Sequence, residues 1–122
     1  MSTTRRTALV TGASAGIGET FARTLAADGL DLVLVARRKE RLQALADGLT
    51  TRHGIRCEVL GADLSDPAAP AKIMAFVAEQ GLDVDVLVNN AGMSGSEAFA
   101  TTEWESLAAE IQVMVTAVTE LA

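Results

Sequence analysis

The residues with the clearest chemical potential here are three glycines. Gly12, Gly16 and Gly18 follow the apolar, β-branched run Thr7-Ala8-Leu9-Val10-Thr11. Ile17, Phe21, Ala22 and Leu25 then recur at spacings of three and four, which is a helical pattern. A strand that turns on glycine and passes at once into a helix makes an anion site. The first N–H groups of the helix have no partners within it, and its dipole favours negative charge there. In that geometry Gly12 serves the tight turn, Gly16 lets a pyrophosphate approach the backbone, and Gly18 lets the helix pack close to the strand. Three glycines in a loop also fit a plain turn, so the rest of the chain has to decide.

The elements that would position this turn are legible along the chain. Asp31–Val35 reads as a second strand, apolar almost throughout, as in a parallel sheet covered on both faces. A helix follows with Leu42, Leu45, Ala46 and Leu49 on one face, ending near His53-Gly54. Ile55–Leu60 is the third strand. Asp66 and Pro67 suggest an N-cap and first helical position, with Pro70 blurring that start, and Ile73, Met74, Phe76 and Val77 form the expected buried stripe. Gly81 ends that helix, and Asp85–Asn89 is the fourth strand. Thr102-Glu103-Trp104-Glu105 fits a capping box opening a last helix. Strand and helix alternate four times, which predicts an α/β, Rossmann-type doubly wound parallel sheet, three layers αβα, with its ligand crevice at the carboxyl ends of the strands.

Bulk properties narrow the function. The 122 residues make one domain, 49% hydrophobic but with only Phe21, Phe76, Phe99 and Trp104 as aromatics. Net charge is −6 without a basic run, so nucleic acid is not an expected partner. No apolar segment is long enough to span a bilayer, and the expected location is cytoplasmic. Cys57 has no second cysteine to pair with and reads as a strand-core thiol; His53 reads as a solvated loop residue. Metal-ligand spacing is missing.

With Thr11-Gly12-x-x-x-Gly16-x-Gly18 ending the first strand, Ala62-Asp63-Leu64 ending the third and Asn89-Asn90-Ala91-Gly92 ending the fourth, the chain resembles the short-chain dehydrogenases/reductases over almost its whole length. The resemblance implies a nicotinamide dinucleotide as cofactor. Gly12, Ser14, Gly16, Ile17 and Gly18 would hold its phosphates. Asp63 and Leu64 would lie beside the adenine, with Asp63 as acceptor, and Asn90, Ala91 and Gly92 would line the adenosine side of the crevice. The plain alternatives are that Asp63 caps a turn and the asparagines fill one. An NAD site places Asp or Glu at the end of the second strand for the ribose 2′-hydroxyl. Here Ala36 stands there, with Arg37 and Arg38 behind it, and Asp31 lies at the wrong end. A guanidinium meets a 2′-phosphate that a carboxylate would repel, which selects NADP(H). The alternative is solvated charge opening a helix.

By the same resemblance the activity is hydride transfer between nicotinamide and a carbonyl or alcohol substrate, in a homo-oligomer. The family's Tyr, Lys, Ser and helix Asn carry that chemistry. This sequence has no tyrosine, its lysines are Lys39 and Lys72, and Met114 stands where the helix Asn is usual. No catalytic residue is therefore assigned. Ala117–Ala122 runs in mid-helix pattern without a stop signal, so the expectation is the cofactor-binding portion, residues 1–122, of a longer enzyme. A self-contained nucleotide-binding sensor and a self-pairing structural fragment are the other two readings.

Overall fold

A computed structural model describes residues 5–14 and 16–89. Its elements are β1 (Thr7–Thr11), α1 (Gly16–Ala27), β2 (Asp31–Ala36), α2 (Lys39–His53), β3 (Cys57–Gly61), α3 (Ala69–Glu79) and β4 (Val86–Val88). The strands pair in the order β3-β2-β1-β4, every pair parallel. The last helix expected from the sequence lies outside the described residues.

Because side chains alternate along a strand, each strand feeds two cores. Ala8, Val10, Leu32 and Leu34 pack with Ala22 and Ala26 of α1 and with Leu42, Leu45, Ala46 and Leu49 of α2. Their neighbours Leu9, Val33 and Val35 pack with Leu64 and with Ala69, Ile73 and Val77 of α3. Helices therefore cover both faces, as right-handed crossovers outward to β3 and back to β4 require. Burial on both sides explains why β1 and β2 are buried almost throughout and carry no alternation of polar residues.

Helix ends follow the glycines. Leu30 N–H donates to the Leu25 carbonyl and Gly29 N–H to that of Ala26, while Leu82 and Gly81 repeat the pattern on Val77 and Ala78. Both are Schellman closures that satisfy the last carbonyls. Gly54 closes α2 with its N–H on the Thr50 carbonyl at 2.9 Å.

Several local expectations are corrected. In α1 the buried face is Gly18, Ala22 and Ala26, while Ile17 and Phe21 are exposed. Helical spacing marks a stripe but does not say which edge of it meets the sheet. Met74 is likewise exposed, one residue round from buried Ile73. Helix α3 starts at Ala69, not Pro67: Asp66 N–H donates to the Asp63 carbonyl, and the Asp66 carboxylate takes Ala68 N–H at 2.9 Å, so a turn comes first. Strand β3 starts at Cys57 because Arg56 N–H donates to the Asp31 carboxylate at 2.8 Å; Ile55 is buried in the core beneath α1 and α2 without joining the ladder. His53 is the half-buried last residue of α2 and not a loop residue.

Candidate functional site

The strand order reverses between β1 and β4, and the crevice of such a sheet opens at the carboxyl ends of those strands. The glycine turn begins there. Thr11 is fully buried, and its hydroxyl donates to the Val88 carbonyl at 3.4 Å, toward β4. Ala13 is fully buried and donates its N–H to the Val35 carbonyl at 3.3 Å, toward β2. The turn is thus tied to both neighbouring strands.

Gly16 opens α1 at φ +60°, a left-handed conformation that costs any L side chain. A methyl built there would meet nothing within 4 Å, so the backbone faces open space. Gly18, the third residue of α1, is buried on the same face as Ala22 and Ala26, whereas Ile17 points away at 68% exposure. An open cavity of about 470 Å³ lies beside the helix start, with Ser14, Gly16, Glu19, Arg23, Arg41 and Leu45 in its wall. Glu19 and Arg23 form an i,i+4 ion pair along α1 in this wall at 3.4 Å.

At the end of β2, Ala36 is nearly buried and accepts Ala62 N–H at 3.0 Å, which binds the ends of β2 and β3 together. Arg37 and Arg38 are exposed, and Arg38 flanks α2 with extended backbone and no side-chain cap. They follow Ala36, which stands where a sugar-binding carboxylate would otherwise be. Asp31 is at the far end of β2, occupied with Arg56 N–H and with Arg5 at 3.6 Å.

Asp63 follows β3 and does cap a turn. Its Oδ1 accepts Ser65 N–H at 2.9 Å and the Ser65 hydroxyl at 2.8 Å, leaving Oδ2 without a hydrogen-bond partner among the described residues. These two bonds, backbone first, hold its carboxyl below the usual carboxylate range against a small opposing effect of burial, and the nearby Arg37 charge adds to them. Leu64 is 5% exposed, with its side chain in the core beneath α3, so only its backbone is left to face a ligand. Asn90, Ala91 and Gly92 lie outside the described residues.

The geometry brings Ser14 and Gly16 to one cavity and sets Arg37 near Asp63. Arg37 and Arg38 do not line that cavity. Arg41 escaped the sequence reading, and Asn89 was read only as part of the motif after the fourth strand. Arg41 is in the cavity wall, and its signal was the helical spacing from Arg37 and Arg38. Asn89, at the end of β4, has a buried Oδ1 without a hydrogen-bond partner among the described residues.

Residues 6–122 match the short chain dehydrogenase family. The chain is 35% identical to 7beta-hydroxysteroid dehydrogenase of Collinsella aerofaciens over 107 residues, 88% of this chain and 40% of that one. It is 46% identical to Oxidoreductase UcpA of Escherichia coli over 90 residues, 74% of this chain and 34% of the relative. Among solved structures it resembles a short-chain dehydrogenase from Sphingobium yanoikuyae in complex with NADPH, with TM-score 0.86 and 44% identity over 95% of this chain and 45% of that one. It also resembles L-sorbose reductase from Gluconobacter frateurii complexed with NADPH and L-sorbose, with TM-score 0.91 and 31% identity over 97% of this chain and 45% of that one. The chain thus spans less than half the length of these relatives. A parallel sheet with its glycine turn at the reversal point has here a source in descent: the chain belongs to the short chain dehydrogenase family.

Proposed function

We propose that this chain is the cofactor-binding portion of an NADP(H)-dependent oxidoreductase acting on a carbonyl or alcohol substrate. The observation that carries the choice of cofactor is the end of β2, where Ala36 replaces a sugar-binding carboxylate and Arg37 and Arg38 follow. Complexes of two structural neighbours with NADPH support it.

The bound nicotinamide supplies or accepts the hydride. This chain's residues bind and orient. The N–H groups at the start of α1, with Ser14, would hold the pyrophosphate in the open space beside Gly16. Asp63, ionised through Ser65, has Oδ2 available to accept from the adenine amino group. Arg37 and Arg38 would meet the 2′-phosphate, and Asn90, Ala91 and Gly92 complete the adenosine side in this reading. Neither lysine stands ready to assist a proton transfer. Lys39 packs over Gly61, where an added methyl would come within 3.3 Å of its Cβ. Lys72 pairs with Asp66 at 3.6 Å on α3. A homo-oligomeric state and a cytoplasmic location are the resemblance's further expectations, open to sedimentation and fractionation.

Titration of the full-length protein with NADPH and NADH tests the reading. The expected result is NADPH binding tighter by roughly tenfold or more, the value of one charge-assisted hydrogen bond. Equal affinities overturn it. The second reading is a dinucleotide-binding sensor without turnover. NADPH consumption with a panel of carbonyl compounds excludes that reading.

A further inference from the structure

Asp63 stands exposed after β3, and its carboxylate is held through one oxygen only. Oδ1 takes both the Ser65 N–H at 2.9 Å and the Ser65 hydroxyl at 2.8 Å, while Oδ2 has no hydrogen-bond partner among the described residues. The N–H bond belongs to the backbone, and any residue but proline two places on would supply it. The hydroxyl bond is what serine adds.

The turn that carries Ser65 is pinned on both sides. Before it, Ala62 N–H donates to the Ala36 carbonyl at 3.0 Å, which ties the end of β3 to that of β2. Leu64 is 5% exposed and belongs to the core with Ile73 and Val77 of α3. After it, Asp66 N–H donates to the Asp63 carbonyl at 2.9 Å, and Ala69 N–H to the Asp66 carbonyl at 3.0 Å, where buried Ala69 opens α3. Ser65 is therefore a fixed post beside an exposed carboxylate. Such a side chain otherwise turns among its rotamers, and its terminal torsion is broad. Two donors on the same oxygen narrow that freedom and leave the other oxygen set in one direction. They also favour the ionised form, as does the nearby Arg37 charge.

A fixed acceptor reads a base more strictly than a mobile one. Adenine carries an exocyclic amino group, a donor. Hypoxanthine has oxygen in that place and its hydrogen on the neighbouring ring nitrogen. A fixed carboxylate oxygen meets the first as acceptor to donor and the second as oxygen against oxygen. A carboxylate free to turn follows the hydrogen to the ring nitrogen, and then tells the two bases apart poorly.

We infer that Ser65 is a positioning residue for base recognition: its hydroxyl fixes the Asp63 carboxylate so that Oδ2 selects a purine with an exocyclic amino group. This rests on the placement of Asp63 beside the adenine proposed above. Ser65 acts through Asp63 and need not touch the cofactor.

The test is fluorescence titration of the full-length protein with NADPH and with its hypoxanthine analogue, for the parent, Ser65→Ala and Ser65→Thr. The parent is expected to bind NADPH about tenfold tighter than the analogue, the worth of one hydrogen bond to a charged group. Ser65→Ala keeps the backbone bond and should lower that ratio to about threefold or less. Ser65→Thr returns a hydroxyl and should restore the ratio. A ratio unchanged in Ser65→Ala overturns the role of Ser65 while leaving Asp63 beside the adenine. Equal weakening of both ligands overturns it too, because the residue would then support the whole loop, and so does a ratio that Ser65→Thr fails to restore. A parent that binds both ligands alike removes Asp63 from the base and the inference with it, and leaves the choice between NADPH and NADH to its own titration.

Discussion

Thr7 and Asp85 hold each other by two hydrogen bonds: Thr7 N–H donates to Asp85 Oδ2 at 2.9 Å, and Asp85 N–H donates to the Thr7 carbonyl at 2.8 Å. Seventy-eight residues apart, they close the amino ends of β1 and β4, at the edge of the sheet away from the glycine turn. Asp85→Ala leaves the N–H of Thr7, a residue only 3% exposed, without its acceptor. The expected cost is about 1–2 kcal/mol, read as a lower urea midpoint at unchanged slope. Asp85→Asn keeps an acceptor and should recover at least half.

Gly16→Val should abolish NADPH binding in the full-length protein, and Gly16→Ala should weaken it. A side chain at φ +60° is strained, and the methyl groups would enter the space that faces the cavity. The open surroundings of that position mean that the fold persists, which circular dichroism reports. Parent-like binding by a folded Gly16→Val removes the phosphate from this turn.

Ala36→Asp combined with Arg37→Leu should move preference from NADPH toward NADH. One lost charge-assisted hydrogen bond corresponds to roughly a ten- to hundredfold weaker NADPH complex. An unchanged ratio of the two affinities would discard Arg37 as a phosphate ligand.

Cys57 should be inert near neutral pH. Burial first, then the charges of Glu58, Asp47 and Asp31, push its thiol from the ordinary 9.0 up to about 12. The thiolate is the reactive form, so alkylation in the folded protein should run at least roughly thirtyfold slower than in urea. The folded pKa is raised, so the neutral thiol's contribution to stability is intact below about pH 9 and is lost as pH rises toward about 12. Cys57→Ala should flatten the fall of the urea midpoint across that window. An equally steep fall in the variant assigns the effect to other groups.

What could be read in the sequence was whatever is decided locally. Gly29, Gly54 and Gly81 end their helices because the last carbonyls need a turn that glycine makes easily, and Gly54 and Gly81 were visible in advance. The stripe Leu42, Leu45, Ala46 and Leu49 was visible because α2 is otherwise polar. The start of α3 was not, since Asp66 can cap a helix or a turn with the same carboxylate, and its bond to the Asp63 carbonyl decides between them. The exposure of Ile17, Phe21 and Met74 depends on how the helices rotate against the sheet, which spacing leaves open. Ser14, Gly16 and Arg37 were picked out as candidates by type and position, and the first two line one cavity. Arg41 was missed because it shares a cavity wall with α1, a relation between two helices that adjacent residues do not encode.

The buried face of α1 has a mechanical consequence. Gly18, Ala22 and Ala26, four residues apart, are the smallest side chains available, and the helix rests on β1 and β2 along them as a bar on a flat bed. From Ala26 to Gly18 is about 12 Å at 1.5 Å per residue. Bulk added at Ala26 would act as a wedge at the far end of a lever and swing the amide groups at Gly16 out of line. Grip on an anion at one end of α1 is therefore set in part by a methyl group at the other, on a residue that never meets the ligand.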